Sequence, residues 1–323
     1  MTLLEVADQY RGVRVVVLGA TGFLGRSVAA SLARAGAELH AGVRAGAPGR
    51  EPHGAVIHPL DLADLARTTE LIDRLRPAVV FNLAGFGVDP DEKRTPDHAL
   101  ARRLNTELPI ALASSVGSDS AGWPGRALVH VGSIAEYGPI AGRLTEDAPP
   151  RPTGLYPETK LAGTAGVAGI AHQRRIPAVT ARLAQVYGPG EHPGRLLPLL
   201  IAARSTGSLE TLSVGTQRKD FTFSEDVVEG LLRLGLSSGP PGEWINLATG
   251  VATTVADFVT QAAHLLRLPT AMLRFERPIP PGELTHESLS VDRLRAATGW
   301  VPTTTIREGI LRTVAALQKM PNE

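Results

Sequence analysis

An apolar run that ends in three evenly spaced glycines limits what this 323-residue chain can fold into more than any other stretch. Val13-Arg14-Val15-Val16-Val17-Leu18 reads as a buried strand, and Gly19, Gly22 and Gly25 then open an Ala-rich helix. A strand, a tight turn and a helix N-terminus leave backbone N–H groups and the positive end of the helix dipole facing outward. Backbone without side chains lets an anion approach, as the pyrophosphate of a dinucleotide requires. The spacing is Gly-x-x-Gly-x-x-Gly rather than Gly-x-Gly-x-x-Gly, and the same residues would also make an ordinary strand-to-helix turn.

The rest of the first half keeps the rhythm that this turn begins. Strands are expected at residues 13–18, 39–43, 56–60, 78–83, 127–131 and 177–186, and helices at 23–35, 64–76, 98–116 and 156–174. Gly36 suits the end of the first helix and Pro77 ends the second. Residues 45–54, rich in Gly and Pro, form a loop. Nearly all-apolar strands alternating with helices predict a parallel sheet covered on both faces, an α/β doubly wound (Rossmann) fold.

After about Gly188 the rhythm breaks, and Pro189, Pro193, Pro198, Pro240, Pro241, Pro269, Pro278, Pro280 and Pro281 punctuate short elements. The expected organisation is a dinucleotide-binding domain over residues 1–188 and a smaller, irregular α/β substrate-binding domain over 189–323. Trp244-Ile245-Asn246-Leu247 is expected to return to the main sheet, which draws residues 242–250 into the first domain and makes the second discontinuous.

Composition removes whole classes of chemistry. There is no cysteine, so disulfides, thiolate metal sites and cysteine nucleophiles are excluded. The nine histidines are scattered with no His-x-x-x-His pair, and no metal site is expected. A formal net charge of +1 gives no reason to expect nucleic acid or a membrane surface as partner. No window of eighteen apolar residues exists and residues 1–10 lack a secretory pattern, so a cytoplasmic enzyme is the expectation.

Tyr156-Pro157-Glu158-Thr159-Lys160 stacks a phenol and an ammonium at i and i+4 on one helix face. A free phenol titrates near ~10, and a neighbouring cation favours the phenolate, so the pair suits proton exchange with a substrate hydroxyl or carbonyl. Ser133, at the carboxyl end of the strand Ala127–Val131 with its following Gly132, can meet the reacting oxygen. Asn82-Leu83-Ala84-Gly85 makes a comparable turn after the fourth strand. A Tyr-x-x-x-Lys spacing also occurs in helices without a catalytic role, and a lone Ser here also serves as a turn cap.

Together these residues resemble, in type, order and spacing, the extended short-chain dehydrogenase/reductases that act on nucleotide sugars, the NAD-dependent epimerase/dehydratase group. The resemblance runs over about residues 13–315. Beside the segments above it carries Asp61-Leu62, Arg182, Val186-Tyr187-Gly188-Pro189, Lys219-Asp220-Phe221, Asp226-Val227, Ile245-Asn246-Leu247 and Thr298-Gly299-Trp300-Val301-Pro302. It implies that Ser133, Tyr156 and Lys160 are catalytic. Ser133 would hold the sugar oxygen, Tyr156 would pass the proton, and Lys160 would bind the nicotinamide ribose and lower the phenol's pKa. It further implies cofactor contacts from Gly19, Thr21, Gly22, Phe23, Leu24, Gly25, Asp61, Leu62, Leu83, Ala84 and Gly85, with Asn105 bracing the site. Arg182 would be structural or phosphate-facing.

Departures from the family pattern narrow the chemistry. No acidic residue stands between Leu39 and Arg50, where a carboxylate would accept from the ribose of NAD, and Arg44 stands ready for a 2′-phosphate. NADP (as NADPH) is therefore favoured over NAD. Dehydratases of this resemblance carry an acid one or two places after the catalytic hydroxyl, where this chain has Ile134 and Ala135. Glu136, one further along, would be turned away by alternation in an extended segment. Gln185 replaces the usual Asn and Lys219 the usual Arg; with Arg195, Arg218 and Arg274 they are candidates for the nucleotide sugar.

The expected activity is NADPH-dependent reduction of a nucleotide-activated 4-keto-6-deoxyhexose, with a 4-epimerase that retains NAD as the alternative. A reductase of a non-sugar ketone and an inactive cofactor-sensing protein are further options. The resemblance also implies a homodimer through the helices 98–116 and 156–174. Leu100, Leu104, Leu108 and Leu112 form a stripe that suits such a contact or, equally, the chain's own sheet.

Overall fold

The computed structural model describes residues 1–44, 51–87, 92, 95–117, 122–140, 142–279 and 283–319. Residues 45–50 of the expected Gly/Pro loop, with Pro280 and Pro281, lie outside them. Seven parallel strands form the main sheet: β1 (Arg14–Leu18), β2 (Glu38–Val43), β3 (Val56–Pro59), β4 (Val79–Asn82), β5 (Leu128–Ser133), β6 (Ala178–Leu183) and β7 (Glu243–Leu247). Their spatial order is β7-β6-β5-β4-β1-β2-β3, so the winding reverses between β1 and β4. This is the doubly wound Rossmann fold, and ligands of such sheets bind at the carboxyl ends beside that reversal.

Successive strand residues point to opposite faces, and both faces are covered. Val15, Val17, Leu39, Ala41, Val79, Phe81 and Val129 pack with the helices Phe23–Ala35 and Ser224–Leu236. Val16, Leu18, Val80, Leu128 and Ala178 pack on the other side with residues of the helices Leu108–Ser115 and Leu155–Arg174. Trp244-Ile245-Asn246-Leu247 does return to the sheet, pairing in parallel with β6 at its edge.

Two local expectations are revised, and one open alternative is decided. The strand expected over 177–186 ends at Leu183; Gln185–Tyr187 instead pairs with Arg218–Phe223 in a separate three-stranded sheet. The helix expected over 98–116 is interrupted by a π turn at Arg103–Glu107. Pro109 has no N–H for the carbonyl of Asn105, and the Leu108 N–H reaches back to the Arg103 carbonyl. The Asn105 carbonyl abuts the helix Leu155–Arg174 so closely that a Cβ on Gly163 would lie 2.0 Å from it. Of the two alternatives for the leucine stripe, the structure shows the chain's own sheet: Leu104, Leu108 and Leu112 are buried against it with Leu100 beside them.

Beyond Gly188, the aromatic residues Tyr187, Phe221, Phe223 and Phe258 anchor a further core with Leu197, Leu200 and Ile310. The Phe221 and Phe258 rings stack 4.0 Å apart. Among the described residues no helix is long and apolar enough to cross a membrane.

The edge strand β7 is fastened from below by Arg126. Its guanidinium is fully buried, pairs with Glu243 at 2.9 Å and donates to the carbonyls of Ala178, Gly239 and Pro240. Arg126→Ala removes those donors and leaves Glu243 without its partner, so urea denaturation should show a loss of about 3 kcal/mol.

Candidate active site

At the reversal point the backbone of the glycine turn touches the next crossover directly. Gly19 has φ +79°, and a Cβ there would lie 2.8 Å from the Ala84 nitrogen and 2.9 Å from the Leu83 carbonyl carbon. A Cβ on Gly25 would sit 2.0 Å from the Gly19 oxygen. Gly22 is the N-cap of the helix Phe23–Ala35 and carries no side chain to cap it. The first-turn N–H groups thus open to the crevice, and the cradle fits the diphosphate of a dinucleotide. Thr21, Phe23 and Leu24 stand half-buried around this turn.

Arg44 follows directly after β2 and is exposed, with no acidic residue at that strand's end. After β3, Asp61 is exposed and accepts from the Ala63 N–H at 3.0 Å, while Leu62 packs into the sheet's second core. After β4, the Leu83 N–H donates to the Leu18 carbonyl and the Ala84 N–H to the buried Asn82 side chain. A Cβ on Gly85 would lie 3.3 Å from Asn105 Oδ1 and 3.7 Å from Lys160 Nζ. Asn105 is fully buried and grips both backbone polar groups of Phe86, each at 2.9 Å, while its amide donates to Thr159. It therefore ties the loop after β4 to the helix that carries Tyr156 and Lys160.

Ser133 and Tyr156 face one another, and Lys160, one turn along the same helix from Tyr156, reaches β5. Ser133 ends β5, and its Oγ accepts the Ala135 N–H at 3.2 Å, which leaves the hydroxyl proton for another acceptor. Its side chain faces the Tyr156 phenol and pulls the phenol's pKa down, but burial wins and holds the phenol at about 12. The Glu136 and Glu92 carboxylates raise it further, and the Arg195 guanidinium lowers it. Burial thus outweighs the depression expected from a neighbouring cation. Lys160 Nζ is buried and donates to the Val131 carbonyl at 2.6 Å; burial lowers its pKa to about 8, opposed by Glu136.

Glu136 corrects a second expectation. Residues Ile134–Tyr137 form a 3₁₀ turn and not an extended segment, so the side chain folds inward and is fully buried. Its Oε1 accepts the Ser133 N–H at 2.8 Å and the Thr164 hydroxyl at 3.1 Å, and its Oε2 pairs with Arg182 Nε at 2.9 Å. Ser133 and Glu136 form a reciprocal capping box, a signal already legible as Ser-x-x-Glu. Arg182 is fully buried between the rings of Tyr137 and Trp244, at 4.5 and 4.2 Å, so it faces no phosphate.

The cations expected at the diphosphate have other engagements. Lys219 pairs with Glu283, and Arg218 donates to the Ala252 carbonyl at 2.6 Å. Arg274 is exposed. Gln185 is half-buried in the small sheet. Arg195, at the N-cap of the helix Leu196–Thr206, reaches Glu191 at 3.4 Å and acts on Tyr156. His130 was not foreseen: it is fully buried on β5, accepts the Asn82 amide at Nδ1, and is held well below the ordinary imidazole pKa by burial and by Lys160. A buried histidine within an otherwise apolar strand was its only sequence signal.

Residues 15–248 match the NAD dependent epimerase/dehydratase family. The chain belongs to that family. It is 33% identical over 311 residues to a dTDP-6-deoxy-L-talose 4-dehydrogenase (NAD(P)(+)) of Kitasatospora kifunensis, spanning 92% of this chain and 93% of that one. It is 28% identical to a UDP-glucose 4-epimerase of Mycolicibacterium smegmatis over 79% of this chain and 80% of the other. Among solved structures, MoeE5 in complex with UDP-glucose and NAD superposes with a TM-score of 0.79 at 26% identity, covering 95% of this chain and 99% of MoeE5.

The cradle makes a direct test possible. A methyl at Gly25 would collide with the Gly19 oxygen, so Gly25→Ala should weaken dinucleotide binding at least ~10-fold, read by isothermal titration calorimetry, because the phosphate-binding turn must open to admit it.

Proposed function

We propose that this enzyme reduces the C4 ketone of a nucleotide-activated 4-keto-6-deoxyhexose, with NADPH as the favoured cofactor. The observation that carries this reading is the cluster of Ser133, Tyr156 and Lys160, in which, among the described residues, neither acid acting on the phenol is free: Glu92 accepts the Gly87 N–H. Ile134 and Ala135 cannot move a proton, and both oxygens of Glu136 are occupied by protein donors. A dehydratase needs such an acid to eliminate water. The relative named as a 4-dehydrogenase acts at the same carbon in the opposite sense, and its name includes NAD(P)(+). Exposed Arg44 and the missing acid after β2 favour the 2′-phosphate.

The residues of the cradle fit the cofactor: the turn Gly19–Gly25 would hold its diphosphate, Asp61 and Leu62 its adenine end, and Leu83, Ala84 and Gly85 its passage toward Lys160. The bound nicotinamide would supply the hydride. Ser133 donates its hydroxyl proton to the ketone oxygen and orients it. Tyr156, which holds its proton at neutral pH because burial places it at about 12, protonates that oxygen as negative charge develops. The Lys160 ammonium steadies the resulting phenolate, and Arg195, which lowers the phenol's pKa, adds to it.

The second reading is a 4-epimerase, favoured by the relative from Mycolicibacterium smegmatis and by NAD in the MoeE5 complex. Protein purified without added nucleotide separates them: tightly retained NAD and turnover without NADPH would overturn the reductase. Tyr156→Phe should abolish NADPH oxidation by a nucleotide 4-keto sugar while cofactor binding stays near wild type. Because Lys160 loses its charge as pH rises through about 8, reductive kcat should fall above that pH, and a profile still flat at pH ~10 would contradict the role given to Lys160.

A further inference from the structure

The Glu136 carboxylate belongs to none of the groups that meet substrate or cofactor in the reading above, yet three elements of the site converge on it. Its Oε1 takes a hydrogen bond from the backbone of Ser133, at the end of β5. The same oxygen takes one from Thr164, which lies four residues beyond Lys160 and eight beyond Tyr156 on the helix Leu155–Arg174. Its Oε2 takes the Arg182 guanidinium from β6. Glu136, Arg182 and Thr164 are all fully buried. Arg182 is itself clamped by two aromatic rings, and the Tyr137 hydroxyl continues the chain to Asn246 on β7 at 2.7 Å.

We propose that Glu136 is a positioning residue: locked from behind by Arg182, its carboxylate joins the Ser133 turn to the Tyr156/Lys160 helix and places a negative charge beside Lys160. This rests on the proton-donating role given to that cluster above. A single oxygen that binds both Ser133 and Thr164 fixes the distance between the two halves of the site. A full negative charge in a dry interior also acts at longer range than it would in water. Glu136 acts on Lys160, Lys160 acts in turn on His130 of β5, and Tyr156 stands four residues before it on the same helix. Arg195 and Glu92 act on the phenol. Among these, Glu136 is the carboxylate that favours the charged form of Lys160.

The chain contains only four lysines, Lys93, Lys160, Lys219 and Lys319, so selective ¹³Cε-lysine labelling resolves the Lys160 resonance in the full-length protein. Its titration should centre near pH 8 in the wild type and move down by about one pH unit or more in Glu136→Gln, the scale of losing a nearby opposite charge. Glu136→Gln leaves a buried guanidinium unpaired and can fail to fold. The paired variant Glu136→Gln/Arg182→Met folds without an unpaired charge; losing the Arg182 charge offsets part of the effect, so its downward movement should be smaller than that of Glu136→Gln. An unchanged Lys160 titration in folded Glu136→Gln, or an upward movement in the paired variant, overturns the proposal.

The kinetic arm separates it from the assignment of the reaction. With a nucleotide 4-keto sugar and NADPH, the alkaline limb of kcat should move down together with the Lys160 titration, and kcat should fall more than KM changes. A shifted titration in a protein whose wild type turns over no such sugar would sustain the positioning role and reject the reaction. Normal turnover with an unshifted titration would do the reverse.

Discussion

Backbone pressed against backbone at the reversal of the sheet is the constraint on which the rest of this molecule depends. Gly19 stands where any side chain would strike Leu83 and Ala84, and Gly25 stands where a methyl would strike Gly19. These contacts bring the carboxyl ends of β1 and β4 together with a helix N-terminus between them. The crevice that results is lined by amide groups, and Ser133 of the neighbouring strand β5, with Tyr156 and Lys160 of its covering helix, bring acid–base chemistry to it. A cofactor in the cradle and a proton donor on that helix are consequently parts of one geometric solution.

The second requirement is electrostatic. Lys160, Glu136 and Arg182 are buried together, and isolated charges in such a place would be prohibitively costly. The folded protein lowers the Lys160 pKa from 10.5 to about 8, so it holds this proton less firmly than the unfolded chain does. Burying the ammonium therefore costs stability below pH 8, and the cost fades as pH rises toward 10.5. The Glu136 charge opposes that loss, and the Arg182 guanidinium between Tyr137 and Trp244 satisfies Glu136 in turn. The tolerance of the site for an internal cation is thus built from residues contributed by β5, β6 and β7.

Much of this could be read from the residues in order. The central strands of the main sheet were visible as largely apolar runs, because a strand buried on both faces leaves little polar alternation to confuse it, whereas the edge strand β3 is partly exposed. The helix Phe23–Ala35 was bounded on both sides by glycine, and Gly36 indeed takes φ +79° as its C-cap. What local pattern missed has local physical causes. The π turn at Arg103–Glu107 arises because Pro109 lacks an N–H and Gly163 of another helix leaves room for the Asn105 carbonyl. The end of β6 at Leu183 depends on a partner, Arg218–Phe223, some thirty residues away in sequence. Period-2 alternation sent Glu136 outward, whereas its capping box with Ser133 curls the chain into a 3₁₀ turn.

The amino-acid sequence by itself determined the fold class, the place of the glycine cradle and the stacking of Tyr156 over Lys160, since these follow from hydrophobic period, glycine spacing and helical i,i+4 geometry, while the place of Ser133 beside them was implied by the family resemblance. Only the tertiary structure decided the charge state of that cluster. The Tyr156 phenol is raised because it is buried, Lys160 is lowered for the same reason, and Glu136 and Arg182 meet because β5 and β6 are neighbours. Burial and proximity across strands are sums over the whole fold, and no short stretch of sequence contains them.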